Sequence, residues 1–191
     1  NCWAKTTRRE ERKQAHSHAL TILQDMENQY IAQQQYHVKP TAITYATAIK
    51  AIGNSLADNA PELAEQVLDR MHQLTESGKI HVPPTVDVYN ALIMSLSVVG
   101  SSRTWNRSTR AQKAEQWLLE LYRRHKEQQK HQQEQQQQQQ SQETGLEPNV
   151  RTWGAVLKAW AESGRPDAGE QAQRVLDQME QWYQTGESSV A

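Results

Sequence analysis

A single cysteine, Cys2, is all the thiol chemistry in this chain, so an internal disulfide and any multi-cysteine zinc site are excluded. No His or Lys stands beside it, and Cys2 reads as a small packing residue rather than a reactive thiol. Long hydrophobic runs are also missing, and the apolar stretches fall far short of a bilayer span, so no membrane role is expected. Charge of one sign is not in excess: 21 Lys and Arg stand against 22 Asp and Glu, which leaves a net charge of -1. There is therefore no global electrostatic footprint for nucleic acid, and any such binding must rest on a local patch. Glycine-rich phosphate loops and nucleophile elbows are absent, and the carboxylates are scattered over polar faces. The seven histidines show no metal-ligand spacing; His16 and His18, two apart, would point to different sides of a helix. No catalysis, cofactor or metal is expected.

What is present has to account for a low mean hydropathy of -0.90, too polar for one large core in 191 residues. Part of the polarity comes from the glutamine-rich run between Gln128 and Gln142, which adds no core. That run could extend a helix, self-associate, or form a tolerated low-complexity loop insertion, the last being favoured by how cheaply surface loops lengthen. Quasi-linear stacking of helices, which needs less core per residue, accounts for the rest.

Internal repetition supports stacking. Pro40, Pro84 and Pro148 each precede an aromatic residue by five positions: Tyr45, Tyr89 and Trp153. Three, four and seven positions after each aromatic come Ala48, Ile49 and Ile52; Leu92, Ile93 and Leu96; and Val156, Leu157 and Trp160. This spacing marks one face of an α-helix, here termed helix A. A second template begins with Ala and continues with apolar residues three, four and seven positions later. It occurs as Ala19, Ile22, Leu23, Met26; Ala64, Val67, Leu68, Met71; Ala114, Trp117, Leu118, Leu121; and Ala172, Val175, Leu176, Met179. It marks helix B.

The unit is thus a helix pair, entered through a proline-containing turn. Thr41, Thr85 and Asn149 follow their prolines and are good N-cap types for helix A. The stretches "GNSLADNAPE", "GSSRTWNRST" and "SGRPDAGE" separate A from B. A lone pair buries too few apolar side chains, each stabilising by roughly 1.5 to 3 kcal/mol, so each pair must stack on its neighbours. The expected fold is all-α, an α-solenoid of antiparallel helix pairs forming one module. Its parts are a partial unit at 1–40, in which "NCWA" ends a helix A and Glu11 to Ala32 form a helix B, and units at 41–84, 85–148 and 149–191. The first residue is Asn1, within what reads as structured sequence, so a piece of a longer array is expected, stacked on further repeats of its parent chain.

The segments "KPTAITYATAIKAI", "PPTVDVYNALIMSL" and "EPNVRTWGAVLKAW", each followed by the Ala template, resemble the pentatricopeptide repeat proteins. "SGKIHVPP" and "TGLEPN" are similar to the turn that closes that family's unit. The likeness covers nearly the whole chain, although the prolines lie 44 and 64 residues apart, against roughly 34 in related helix-pair arrays. The resemblance implies a right-handed superhelix that binds single-stranded RNA without catalysis, about one base per repeat. It further implies organellar RNA processing, stability or translation, in a mitochondrion or plastid.

By the same resemblance, a base is read by the residue after the helix A aromatic together with the residue after the closing proline. These pairs are Ala46 with Thr85 and Asn90 with Asn149; Gly154 has its partner outside the chain, and Thr41 closes the partial unit. Asn90 and Asn149 can hydrogen-bond a Watson–Crick edge, and similar pairs in the family favour pyrimidines. Ala46 and Gly154 bring no polar side chain. The residues expected to sandwich a base are Ile43, Asp87 and Arg151, of which Asp87 would repel phosphate.

Each position has a plainer reading. Tyr45, Tyr89 and Trp153 share the apolar face and are expected in the core; Thr85 and Asn149 are equally well explained as caps. Lys50 and Lys158, one turn beyond Ala46 and Gly154, extend the same face toward phosphates. The stretch from Arg103 to Lys130 carries a local basic excess and is a second candidate polyanion patch. The competing class is a protein interaction scaffold using the same concave face, favoured by the neutral charge, the irregular repeat lengths and the two empty reading positions.

Overall fold

The computed structural model describes residues 2–55, 57–97, 105–135 and 146–184, with side chains described in those segments except at 2–13 and 131–135. Among the described residues every regular element is helical and there is no strand. In chain order they are α1 (Cys2–Ile31), a 3-10 turn (Tyr36–Val38), α2 (Ala42–Gly53), α3 (Ala60–Glu76), α4 (Val86–Ser97), α5 (Arg107–Gln135), α6 (Val150–Ala161) and α7 (Ala168–Gln184). None of these helices is long and apolar enough to cross a membrane.

The helices expected from the proline-to-aromatic offset are α2, α4 and α6. Each has 12 residues, with its aromatic at the fourth position. Their starts follow from local chemistry. Thr41 accepts from the Thr44 N–H while the Thr44 hydroxyl accepts from the Thr41 N–H; Asn149 and Thr152 form the same reciprocal cap. Tyr45, Tyr89 and Trp153 are buried, with the apolar positions three, four and seven residues on also buried, save half-buried Leu157. They are core residues, as their spacing predicts.

Helix B of the Ala template is α3, α5 and α7. Ala64, Val67, Leu68 and Met71 are fully enclosed, as are Ala114, Leu118 and Leu121. At Gly78, φ of +69° ends α3, a conformation cheap only for glycine, and the Ile80 N–H then bonds the Leu74 carbonyl. The chain is thereby returned to Pro83 and Pro84, where α4 begins. In packing, α1 meets α2; α2 meets α3 and α4; α4 meets α5 and α6; α6 meets α5 and α7. The three A helices therefore contact one another in sequence order.

Two expectations change. A helix A ending at "NCWA" and a separate helix B from Glu11 are not found: α1 runs unbroken from Cys2 to Ile31. The packing role assigned to Cys2 lies outside the described side chains. The glutamine run is not simply a loop, since α5 continues through Gln135, carrying its first residues as a polar helical extension; the remainder lies outside the described residues.

Helix α2 approaches α4 closely at Gly53, where an added Cβ would lie 2.3 Å from the Ser95 Cβ and 3.0 Å from its Cα. Because backbone stands in the way, the helices must separate to admit a methyl group. Gly53→Ala is expected to cost about 1–3 kcal/mol despite its better helix propensity, read as a lower urea midpoint. Restoring space with Ser95→Gly should recover part of that loss.

Carboxylates that are buried at Glu27 and Glu115 and half-buried at Glu65 join successive units. Glu27 on α1, fully enclosed, accepts from the Tyr45 hydroxyl at 2.8 Å and from Arg70 Nε at 2.6 Å. Glu65 on α3 accepts from Lys113 Nζ and Trp117 Nε1, both at 2.9 Å; Glu115 on α5 accepts from Trp160 Nε1 at 2.9 Å and Arg174 Nη2 at 2.6 Å. Each carboxylate thus ties its helix to helices of the next unit.

The corresponding place between α3 and α4 holds His72, whose Nε2 lies 3.2 Å from the Tyr89 hydroxyl. Burial, then the Arg124 charge, pushes the imidazole down to about 4, against a smaller opposing pull from Glu120. The fold prefers the neutral ring, so this contribution is complete above pH ~6.5 and is lost as pH falls toward about 4. Allowing for partial exposure, acidification across that window is expected to cost about 1–2 kcal/mol at this site. His72→Gln should flatten that limb of a stability–pH profile.

Candidate functional site

Side chains on the outer face of α2, α4 and α6 line two adjoining depressions. The first, about 240 Å³, is bordered by Ile43, Ala46, Lys50, Thr85, Asn90 and Arg151, with Asp87 and Met94. The second, about 290 Å³, shares Lys50, Met94 and Arg151 and adds Gly154 and Lys158 over a floor that includes Gly53, Ala91 and Ser95. Eight of the ten residues expected to contact RNA therefore border one continuous groove. Thr41 and Asn149 do not border it.

Charge in the groove is one-sided. Lys50, Arg151 and Lys158 are exposed and have no carboxylate partner among the described residues, while Asp87 is the single acid on the lining. The other basic patch is in part spent internally. Arg123 pairs with Glu120 and Glu127, Arg124 with Glu120, and Lys113 with Glu65; Arg103 lies outside the described residues. Much of its charge is thus a salt-bridged helix surface, whose pairs contribute little each.

The reading positions differ among themselves. Ala46 is half-buried, and Gly154 is exposed, with open space where a side chain would begin. Asn90 is only 3 % exposed: its Oδ1 accepts from the Thr152 hydroxyl at 2.6 Å, while its Nδ2 has no partner among the described residues. Asn149 uses its Oδ1 to accept from the Arg151 and Thr152 N–H groups. Thr152 stands between the two asparagines, because the Asn149 N–H donates to its hydroxyl. Their amide oxygens are therefore engaged in joining α4 to α6 and in starting α6. Thr41 serves as a cap, and Thr85 accepts through its carbonyl from the Val88 and Tyr89 N–H groups. Ile43, 78 % exposed, and Met94, 40 % exposed, supply apolar surface in the same groove.

No family model, curated protein or solved structure matches this chain. What the groove can bind follows from its own chemistry. Among the described residues no group of three His, Cys, Asp or Glu could hold a metal ion. Sequence reading missed Met94 and Thr152. Met94 occupies the place of Lys50 and Lys158, five residues after its aromatic, and the repeat register alone would have placed it on the groove. Thr152 could be found as a cap partner, but its bond to Asn90 crosses 62 residues of sequence.

Proposed function

We propose that this chain is an α-solenoid of degenerate pentatricopeptide-type helix pairs whose α2, α4 and α6 face binds single-stranded RNA. The observation that carries the proposal is the groove with three cations that have no carboxylate partner among the described residues, bordered by six residues at positions the family resemblance designates and by Lys50 and Lys158, placed there by helical spacing. The sequential packing of the A helices supports a solenoid. Phosphates would meet Lys50, Arg151 and Lys158, and bases would lie against Ile43 and Met94, with Asp87 keeping phosphate from the central position. Ala46 and Gly154 offer no hydrogen-bonding side chain, and the Asn90 and Asn149 oxygens are already engaged. The groove would therefore hold RNA chiefly by its backbone, with little discrimination among bases. Such a protein acts without catalysis, by covering or presenting a transcript; an organellar setting is carried by the resemblance alone.

Exposed Ile43 and Met94 favour a second reading, a scaffold that takes a protein segment in the same groove. A salt titration with single-stranded RNAs of varied sequence separates the two. RNA binding should weaken steeply with salt, with a log–log slope of about 0.7 per phosphate contacted, and similarly for all sequences. Absence of binding to every RNA at low salt would leave the scaffold reading in its place.

A further inference from the structure

The two depressions on the α2, α4 and α6 face meet at residues that line both: Lys50 from α2, Ala91 and Met94 from α4, and Arg151 from α6. Ala91 is buried in the floor, whereas Met94 is exposed, so only Met94 rises from α4 between them. The boundary is therefore apolar at its centre and cationic at both ends. In α2 and α6 the same register, five residues after the aromatic, holds Lys50 and Lys158, and the central helix alone replaces the cation with an apolar chain. A uniform phosphate track would not need that exchange.

At about 240 and 290 Å³, each depression is smaller than the roughly 300–1,000 Å³ of pockets that enclose a whole small molecule. Each suits one flat ring. Methionine fits between two such rings, because its chain is unbranched and its polarizable thioether makes favourable contacts with aromatic systems. Apolar side chains of this kind part base steps in other nucleic-acid complexes. Resting on the reading of this face as an RNA groove, we propose that Met94 is a wedge that parts two consecutive bases, one lying in each depression, with Lys50 and Arg151 at the flanking phosphates. The unit held is then an unstacked dinucleotide step of a single strand. A paired and stacked duplex cannot present it.

Fluorescence titration of the full chain with a hexanucleotide of 2-aminopurine ribonucleotides tests the wedge, since that base brightens when it unstacks. Binding should raise the emission, whichever step reaches Met94. Met94→Ala should weaken the RNA about fivefold and remove the rise in emission at saturation. Its salt slope should stay unchanged, because no phosphate contact is lost. Met94→Leu, close in volume, should retain both affinity and emission. The side chain is exposed, so neither variant should disturb the fold, which helicity by circular dichroism checks. Binding without a rise in emission, or a rise undiminished in saturated Met94→Ala, would overturn the wedge and leave the groove reading standing. No binding of any single-stranded RNA at low salt would remove both.

Discussion

Glu27→Ala is expected to lower the stability of the fold by about 3 kcal/mol, seen as a fall in urea midpoint with an unchanged slope. The carboxylate is wholly enclosed, and it accepts from the Tyr45 hydroxyl and from Arg70. Tyr45 is itself fully buried, so deletion leaves its hydroxyl with no acceptor and no water, a cost of about 1–3 kcal/mol. Arg70 suffers less, because its side chain is 45 % exposed and can rehydrate. The burial that makes Glu27 costly to delete also pushes the Tyr45 hydroxyl far above its ordinary range, so it stays a donor at any working pH. A double-mutant cycle isolates the pair: Tyr45→Phe in the Glu27→Ala background should cost much less than in the native protein, because the stranded hydroxyl is gone. Additive losses would show that the two groups do not act together.

The core faces of α2, α4 and α6 were legible because helical periodicity and burial are the same fact seen twice. A residue three, four or seven positions after Tyr45, Tyr89 or Trp153 has to share its face. Helix boundaries were legible where a cap or a breaker existed, as at Thr41, Asn149 and Gly78. They were not legible where none did. "NCWA" matches the end of a helix A, yet between Ala4 and Glu11 there is no Gly or Pro to break the helix, and α1 runs on. Glutamine is a good helix former, and no Gly or Pro intervenes from Arg107 until Gly145, so α5 had no local reason to stop at Gln128.

Polar contacts between units were not legible, because their partners lie far apart in sequence. The Arg103–Lys130 stretch looked uncompensated partly because Glu65, the partner of Lys113, lies 48 residues away. Arg123 and Arg124 were different: Glu120 and Glu127 sit three and four positions from them, a pairing that helix geometry alone dictates. Asn90 shows the same limit at the candidate site. Its place after Tyr89 was readable, but whether its amide faced the groove or the neighbouring helix depended on Thr152 in the following unit. Net charge was similarly uninformative, since it does not separate Lys50, Arg151 and Lys158 from cations such as Lys113, Arg123 and Arg124 that are paired with carboxylates.

Lys50→Ala, Arg151→Ala and Lys158→Ala combined should reduce RNA affinity about a hundredfold at low salt and lower the salt slope by about 2, as three phosphate contacts are removed. Fold stability should change little, because none of the three is paired or buried. The loss should be uniform across RNA sequences, since a cation at a phosphate carries no base information. Electrophoretic mobility shifts at several salt concentrations would measure both quantities. A control variant, Arg123→Ala with Lys130→Ala, removes two charges from α5 and should leave the groove's affinity nearly unchanged. Equal loss from both variants would mean that net charge, rather than the α2, α4 and α6 face, governs association. Retention of full affinity by the triple variant would remove RNA from this groove altogether, and the apolar pair Ile43 and Met94 would then point to a protein ligand.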